Sequence, residues 1–332
     1  MAHTLIRKFG YVAAAAMMLA CAPVSAKELN LTLAGASPGG LWTLLGAGLE
    51  SALKANEPGS TVTYQTSGGG FANVAQVSQG RVEIGLVHDA ELSIAVAGGK
   101  PFKAPVTNLR MIGYLYDWAP MQFIAHKSFT DKYNIESIAN IATNKAPARV
   151  TVNRAGNITG LVAVAMLEAV GASEENIKQW GGAVVRAGSK EQANLMANGR
   201  VDLFSNGIFV KHSSIRKLQD ALDIKLLTIP ENVRKKVGAE FGIGSFTIAA
   251  NTYENQPKNI KTLALGAVLV ASDAMSEEDA YTLTKAMIEN IKKIQAVHPA
   301  MAALSHELMS RKTAVPFHVG AVRAYREAQL ME

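Results

Sequence analysis

Apolar strand-like runs alternate with amphipathic segments from residue 29 onward. Leu29–Ala34 predicts a short buried strand, and Leu41–Leu53 places its apolar residues on one helical face. Thr61–Gln65 predicts a second strand, Phe71–Val77 begins a second helix, and Val82–His88 predicts a third strand. A strand, a loop of small residues and a helix therefore occur twice before the third strand. This order is typical of a parallel sheet with right-handed crossovers.

The same alternation begins again near residue 110 and continues to the end of the chain. Further strands are predicted over Arg110–Tyr116, Met121–Ala125, Ala148–Val152, Val201–Ser205 and Leu263–Ala271, and a long helix over Glu277–Gln295. The first two of these strands are expected to be separated by a kink at Asp117–Pro120. We predict two α/β lobes, with residues 27–119 and 261–332 in lobe 1 and residues 120–260 in lobe 2. Ligands bind beyond the carboxyl ends of parallel strands, so the polar loops of both lobes should face one cleft.

The first 26 residues have the pattern of a secretory signal. Arg7 and Lys8 precede the apolar run Tyr11–Ala22, and the small residues Val24–Ala26 form a cleavage site. The run is shorter than the roughly 20 residues that span a bilayer, which argues against a membrane anchor. We therefore expect a periplasmic protein that begins near residue 27. A less favoured alternative is a lipoprotein whose chain begins at Cys21.

Charge and cysteine usage narrow the function classes. The whole chain has 33 basic residues, of which two lie in the signal, so the mature chain has 31 basic and 27 acidic residues and a formal charge of +4. This mild excess suits a small anionic ligand and is too diffuse for nucleic acid. Cys21 is the only cysteine in the sequence and lies within the signal. The mature chain therefore has no disulfide, cysteine nucleophile or cysteine metal site.

The loop after the first strand raises one catalytic hypothesis. Gly35–Gly39 reads GASPG and fits the G-x-S-x-G nucleophile elbow of serine hydrolases, with Ser37 as nucleophile. In that elbow the backbone N–H after the serine contributes to the oxyanion hole, but Pro38 has no N–H. Losing one oxyanion donor costs about 3–4 kcal/mol of transition-state stabilisation. A binding protein without catalytic residues is therefore favoured over a hydrolase.

Nucleotide and metal motifs are absent from the sequence. No G-x-G-x-x-G follows a predicted strand, and neither a Walker A sequence nor H-E-x-x-H occurs. His88 and Asp89 form an isolated pair rather than a set of metal ligands. We therefore expect no cofactor and no bound metal.

Small and polar residues at the strand ends indicate ligand binding instead. Gly39–Gly40 and Gly68–Gly70 allow backbone N–H groups at helix N-termini to approach an anion. Arg154 lies between a strand end and a helix start, where a guanidinium can bind a carboxylate through two hydrogen bonds. The candidate ligand-binding residues are Ser37, Gly39, Gly40, Trp42, Ser67, Gly68, Gly69, Gly70, Asn73, His88, Asp89, Arg154, Asn157, Thr159, Gly160 and Asn206.

Several candidates have an equally simple structural interpretation. Ser37 and Ser67 can cap helices rather than contact a ligand. Trp42 can belong to the hydrophobic core rather than form a wall of the cleft. Arg154 can be a solvated surface side chain. The sequence leaves these alternatives open.

Four stretches together resemble a known family. They are GASPGGLWTLLGAGL (35–49), TSGGGFANVAQVSQGRVEIGLVHDAE (66–91), VLVASDAMSEEDAYTLTKAMIENIKKI (268–294) and VPFHVGAVRAYREAQ (315–329). The sequence resembles the TAXI solute receptors of TRAP-associated transport over nearly the whole mature chain. The resemblance implies a type II periplasmic-binding-protein fold, in which hinge strands join two parallel-sheet α/β lobes with a cleft between them. It also implies a carboxylate ligand such as glutamate or 2-oxoglutarate and a fused TRAP membrane subunit as partner.

Three places depart from the family pattern and affect the ligand more than the fold. Val87–Asp89 stands where the family has Gln-x-Asp, the loop 153–160 contains Arg154, and Pro316–His318 changes the usual His-Pro order. The sequence therefore predicts a monomeric periplasmic solute-binding protein that closes two lobes on a small organic anion. The alternative within the same fold is a sensor that presents its solute to a membrane receptor.

Overall fold

The computed structural model describes residues 28–332. The signal predicted over residues 1–26, including Cys21, lies outside the described residues. Within 28–332 no helix is both long enough and apolar enough to cross a membrane.

The strands of the described chain join in one ten-stranded sheet. They are β1 (Asn30–Ala34), β2 (Thr61–Gln65), β3 (Ile84–His88), β4 (Leu109–His126), β5 (Arg149–Val152), β6 (Ala183–Arg186), β7 (Leu203–Gly207), β8 (Ile224–Leu226), β9 (Gly244–Ile248) and β10 (Ile260–Ser272). The strand order is β2-β1-β3-β10-β4-β7-β5-β6, while β8 pairs with β4 and β9 with β10. Strand β1 is parallel to β2 and β3, and β5 is parallel to β6 and β7.

Helices connect and cover these strands. They are α1 (Leu41–Asn56), α2 (Gly70–Ser78), α3 (Asp89–Val96), α4 (Lys127–Tyr133), α5 (Ile138–Thr143), α6 (Ile158–Ala169), α7 (Glu174–Gln179), α8 (Ser189–Ala197), α9 (Ser213–Ala221), α10 (Glu231–Phe241), α11 (Glu277–Glu289), α12 (Ile291–Gln295), α13 (His306–Met309) and α14 (Val319–Glu327), with a 3₁₀ turn over Pro299–Ala303. The long helix predicted over 277–295 is interrupted at Asn290, which separates α11 from α12.

Two long strands run through the centre of the sheet and change partners along their length. Strand β4 pairs with β10 up to Pro120 and with β7 from Met121 onward. Strand β10 pairs with β9 up to Ala264 and with β3 from Ala267 onward. The predicted break at Asp117–Pro120 is therefore wrong, because β4 is one continuous strand. Pro120 lacks an N–H donor and lies where the partner of β4 changes from β10 to β7.

These partner changes divide the molecule into two halves. The first half contains β1–β3, α1–α3 and α11–α14, and the second half contains β5–β9 and α4–α10. In the first half Leu45, Leu49 and Leu53 of α1 are completely buried, as their helical spacing predicts. Leu44 is predicted on the same face, but its side chain is 42% exposed. A second core surrounds Phe123 of β4 and includes Phe71 of α2 and Ala90 of α3, so it extends into the first half.

Candidate ligand-binding site

A cavity of about 640 Å³ lies between the two halves. The first half lines it with the β1–α1 loop and part of β4. The second half contributes the β5–α6 loop, the start of α8 and the segment from the end of β7 into α9. The predicted site residues that line this cavity are Ser37, Gly39, Gly40, Trp42, Ser67, Gly68, His88, Arg154, Asn157, Thr159 and Asn206. The predicted site residues outside the lining are Gly69, Gly70, Asn73, Asp89 and Gly160.

Two helices begin at the cavity without a side-chain cap. Helix α1 starts after Gly40 and helix α8 starts after Gly188, and neither N-terminus receives a side-chain hydrogen bond at its cap. Gly39, which has a φ of +79°, allows the chain to turn into α1 without a steric penalty. The first N–H groups of a helix have no partner within the helix, and the helix dipole makes this end positive. Each N-terminus therefore offers free donors to a negatively charged group.

Arg154 and Ser37 approach each other from opposite halves beside the start of α8. A Cβ atom placed on Gly188 would lie 3.4 Å from both Arg154 Nη2 and Ser37 Oγ. The Arg154 side chain is 52% exposed, and its nearest ionic partner is Glu191 Oε2 at 3.9 Å. Within residues 28–332 its guanidinium makes no direct hydrogen bond. The donors of Arg154 are thus available for a bound anion.

A polar network in the second half orders the loops around Arg154. Asn206 Oδ1 accepts a hydrogen bond from Thr159 Oγ1 at 3.0 Å, and its Nδ2 donates to Ser189 Oγ at 2.9 Å and Gln192 Oε1 at 2.8 Å. Asn157 caps α6 by accepting the Thr159 backbone N–H at 2.9 Å. Because both Asn206 donors bind protein oxygens, this side chain connects α6 with α8 rather than offering a free donor to the cavity.

The first half contributes a buried group of aromatic and ionisable side chains. Trp42 Nε1 donates to the hydroxyl of Tyr116 at 2.9 Å, and the ring centroids of Trp42 and His88 are 4.9 Å apart. Glu91 is completely buried and accepts hydrogen bonds from the backbone N–H groups of His88 at 3.0 Å and Ile158 at 3.2 Å. The second bond crosses to the N-terminus of α6. The Glu91 carboxylate therefore binds the N-terminus of α6, where the sequence analysis expects Asn157 and Thr159 to contact a ligand.

The predicted residues outside the lining make internal contacts. A Cβ on Gly70 would lie 1.5 Å from Glu91 Oε2, so this glycine makes room for the carboxylate. Asn73 donates to the carbonyl oxygens of Gly35 and Leu86, which fixes α2 against two strands.

The other three make similar contacts. Gly69 lies close to Asn157, since a Cβ there would be 3.1 Å from Asn157 Nδ2. A Cβ on Gly160 would lie 2.8 Å from the Asn153 carbonyl oxygen. Asp89 accepts a hydrogen bond from the hydroxyl of Tyr114.

Ser67 lines the cavity but has internal partners as well. Its hydroxyl donates to the Gly35 carbonyl oxygen at 2.7 Å and accepts the Gly69 N–H at 3.0 Å. These contacts give Ser67 a structural role in the loop before α2, but the N-cap residue is Gly69 and the helix has no side-chain cap. In contrast, Ser37 has no hydrogen-bond partner for its hydroxyl within the described chain, and no histidine contacts it there.

Sequence reasoning missed several lining residues. They are Tyr116, Asn153, Gly188, Ser189, Lys190, Glu191, Phe209, His212, Ser214 and Lys217, among others. The basic lining residues are Arg154, Lys190 and Lys217, and the acidic one is Glu191, so the lining carries a net positive charge. Burial, with a smaller contribution from nearby His298, lowers the pKa of His212 to about 4. His212 is therefore neutral near pH 7, and its Nδ1 caps α9 by accepting the Ser214 N–H.

The donor set does not indicate a metal. Across residues 28–332, no three histidine, cysteine or carboxylate side chains are grouped so that they could hold an ion. The cavity is lined by guanidinium, ammonium, hydroxyl, amide and backbone N–H groups, one carboxylate (Glu191), two imidazoles (His88 and His212) and aromatic rings.

Solved structures of binding proteins share this architecture. The periplasmic binding protein BugD is 15% identical, with a TM-score of 0.55 over 91% of this chain and 94% of that chain. MatC from Rhodopseudomonas palustris, solved with bound malate, is 14% identical, with a TM-score of 0.57 over 92% and 97% of the two chains. A protein from Bordetella bronchiseptica RB50 is 14% identical, with a TM-score of 0.50 over 90% and 89%.

These likenesses establish the fold as that of the type II periplasmic binding proteins, which the sequence predicted. Residues 33–328 also match the NMT1-like family, which is nearly the whole described chain. The chain therefore belongs to the NMT1-like family.

Proposed function

We propose that this protein is a periplasmic solute-binding protein that captures a small organic anion between two lobes. The lobes correspond to residues 27–119 with 261–332 and to residues 120–260. The observation that carries the proposal is the convergence of Arg154 with two uncapped helix N-termini in one cavity. Ligand sites of proteins are commonly cavities of about 300–1,000 Å³ with a few converging polar groups, and this cavity fits that description.

The electrostatics of the cavity favour a carboxylate. A guanidinium binds a carboxylate with two parallel hydrogen bonds, and Arg154 has its donors free. The N-termini of α1 and α8 add partial positive charge and backbone N–H donors. Glu191, which is 60% exposed and 3.9 Å from Arg154, can turn toward solvent when a ligand arrives. MatC, which shares the fold, was solved with malate, a carboxylate.

The connections between the lobes suit capture by closure. Among the strands of residues 28–332, only β4 and β10 pair with strands of both halves, so bending these two strands moves one lobe against the other. Ser37 of lobe 1 and Arg154 of lobe 2 both lie close to Gly188. A ligand that binds both side chains interacts better with the closed form and therefore shifts the population toward it.

Binding without reaction also agrees with the surroundings of Ser37. Pro38 follows it and supplies no oxyanion N–H, and the Ser37 hydroxyl has no contact with a histidine of the described chain. A serine-reactive fluorophosphonate should therefore leave the protein unlabelled. Labelling of the wild type that disappears in Ser37→Ala would instead support the hydrolase alternative.

Delivery to a TRAP-type secondary transporter follows from the resemblance to the TAXI receptors. The alternative in the same fold is a sensor that presents the solute to a membrane receptor. A gene for a fused TRAP membrane subunit next to this one supports transport, and a neighbouring receptor-kinase gene without it supports sensing.

Native mass spectrometry of the exported protein, purified without denaturation, tests the proposal. We expect a monomer that begins near residue 27 and carries an organic anion, which is released by acid and identified by its mass. A neutral or cationic solute in the complex would contradict anion capture. A lipid-modified Cys21 at the N-terminus would correct the proposed processing.

A further inference from the structure

The cavity has an aromatic wall, formed by Trp42, Tyr116 and Phe209. All three side chains line the cavity and are at most 7% exposed. The rings of Tyr116 and Phe209 meet edge to face with centroids 4.9 Å apart, and Trp42 is hydrogen-bonded to Tyr116. Trp118 stacks on Phe209, with ring centroids 6.3 Å apart. This wall is continuous with the core of the first half.

The aromatic side chains of the wall are more deeply buried than the guanidinium of Arg154. Arg154 is 52% exposed, whereas Tyr116 is 3% and Phe209 is 2% exposed. A ligand whose carboxylate binds Arg154 near the solvent therefore extends its remaining atoms toward an apolar surface. Burying an aromatic group against such a surface is favourable, and aromatic rings add edge-to-face contacts.

The surroundings of the aromatic wall disfavour a second carboxylate. Burial is the main cause of the raised pKa of Tyr116, and the negative charges of Asp89 and Glu91 raise it further. A ligand carboxylate placed against Tyr116 would thus lose its hydration and meet two like charges. The Tyr116 hydroxyl accepts a hydrogen bond from Trp42, and its own proton has no acceptor in the described chain. An uncharged acceptor on the ligand could take that proton.

The volume of the cavity does not separate a dicarboxylate from an aromatic monoanion. A dicarboxylate such as malate or 2-oxoglutarate has about ten non-hydrogen atoms. Even at the roughly 30 Å³ that liquid water gives each molecule, ten atoms occupy about 300 Å³. Phenylpyruvate has about twelve such atoms and by the same measure occupies about 360 Å³, so the cavity of about 640 Å³ accommodates either acid.

We infer that the ligand is an organic monoanion with an aromatic ring, its carboxylate bound to Arg154 and its ring packed on the aromatic wall. This inference rests on the proposed capture of an organic anion and narrows it to one chemical class. It replaces glutamate and 2-oxoglutarate, which the family resemblance implies as ligands.

Three 2-oxo acids with the same head group and different tails test the inference. Calorimetry on the wild type should compare phenylpyruvate, 2-oxoglutarate and pyruvate. Burying the phenyl ring should make phenylpyruvate bind about 10- to 100-fold more tightly than pyruvate. We expect 2-oxoglutarate to bind at least tenfold more weakly than phenylpyruvate.

Variants of the aromatic wall separate a ligand contact from a structural role. Phe209→Leu should weaken phenylpyruvate binding about tenfold and change pyruvate binding less than twofold. Leu44→Ala, at an exposed position of α1 outside the cavity, should change neither. The wild-type comparison alone decides the question if Phe209→Leu does not fold.

The outcomes distinguish this inference from the function on which it rests. Tighter binding of 2-oxoglutarate than of phenylpyruvate overturns the aromatic ligand and leaves anion capture standing. Failure of phenylpyruvate to bind at millimolar concentration also overturns the aromatic ligand, whereas anion capture is still decided by the mass of the co-purified ligand.

Discussion

Replacing Arg154 by alanine should weaken ligand binding strongly and change stability little. The guanidinium is half exposed, and its only ionic partner in residues 28–332 is Glu191 at 3.9 Å, which is also exposed. Such a surface pair contributes at most about 1 kcal/mol to folding. A charge-assisted hydrogen bond to a bound carboxylate contributes about 1.5–3 kcal/mol. The dissociation constant of Arg154→Ala should therefore rise about 10- to 100-fold.

Calorimetry with the tightest-binding 2-oxo acid, together with thermal unfolding, measures both effects. Arg154→Lys should recover only part of the affinity, because an ammonium group cannot form the bidentate pair. The matched control is Arg186→Ala, which removes a charge from the same half but pairs with Glu174 away from the cavity. Affinity of Arg154→Ala within twofold of the control would refute the role of this arginine. The anion would then be held by backbone N–H groups and hydroxyls alone.

Three further predictions address other parts of the site. Gly70→Ala should lower the free energy of unfolding by about 3 kcal/mol in urea titrations, because the new methyl displaces the buried carboxylate of Glu91. The control is Gly68→Ala, whose methyl would meet only another methyl group at 3.5 Å, so its free energy of unfolding should stay close to that of the wild type. Gly188→Ala has an allowed backbone conformation, so it should fold normally yet weaken anion binding about tenfold in calorimetry by filling the space between Ser37 and Arg154. His212 has a folded-state pKa of about 4, below its unfolded value of about 6.5, so the unfolded state binds more protons between these values and stability falls as the pH drops from 6.5 to 4. His212→Asn keeps a capping side chain but does not titrate, so in urea titrations its free energy of unfolding should decrease by about 3 kcal/mol less than that of the wild type between pH 6.5 and pH 4. An equal decrease in both proteins would contradict the lowered pKa of His212.

Local sequence signals predict the strand, the loop and the helix on one side of the cavity. The strand Leu29–Ala34, its glycine loop and the apolar face of Leu41–Leu53 follow from residue spacing alone, and the structure contains each of them. Arg154 was found because it stands between a predicted strand and a predicted helix, and it lines the cavity. These signals depend on residues that are close in sequence, so they can be recognised without knowing which residues lie across the cavity.

Tertiary packing accounts for the missed residues. Tyr116 and Phe209 lie in β4 and just after β7, far apart in sequence, and only the pairing of β4 with β7 brings them together. The glycines 68–70 were expected to hold a ligand anion as a unit. Instead Gly70 accommodates the carboxylate of Glu91. The spacing of His88 and Glu91 fits a capping box and was the one local signal of that arrangement.

The most direct test of anion capture is a crystal structure of the protein with its co-purified or tightest-binding ligand. Our account predicts a carboxylate between the two lobes, about 3 Å from the guanidinium of Arg154 and from backbone N–H groups at the start of α1 or α8. A ligand bound outside this cavity, or one that places an uncharged or cationic group against Arg154, would contradict it.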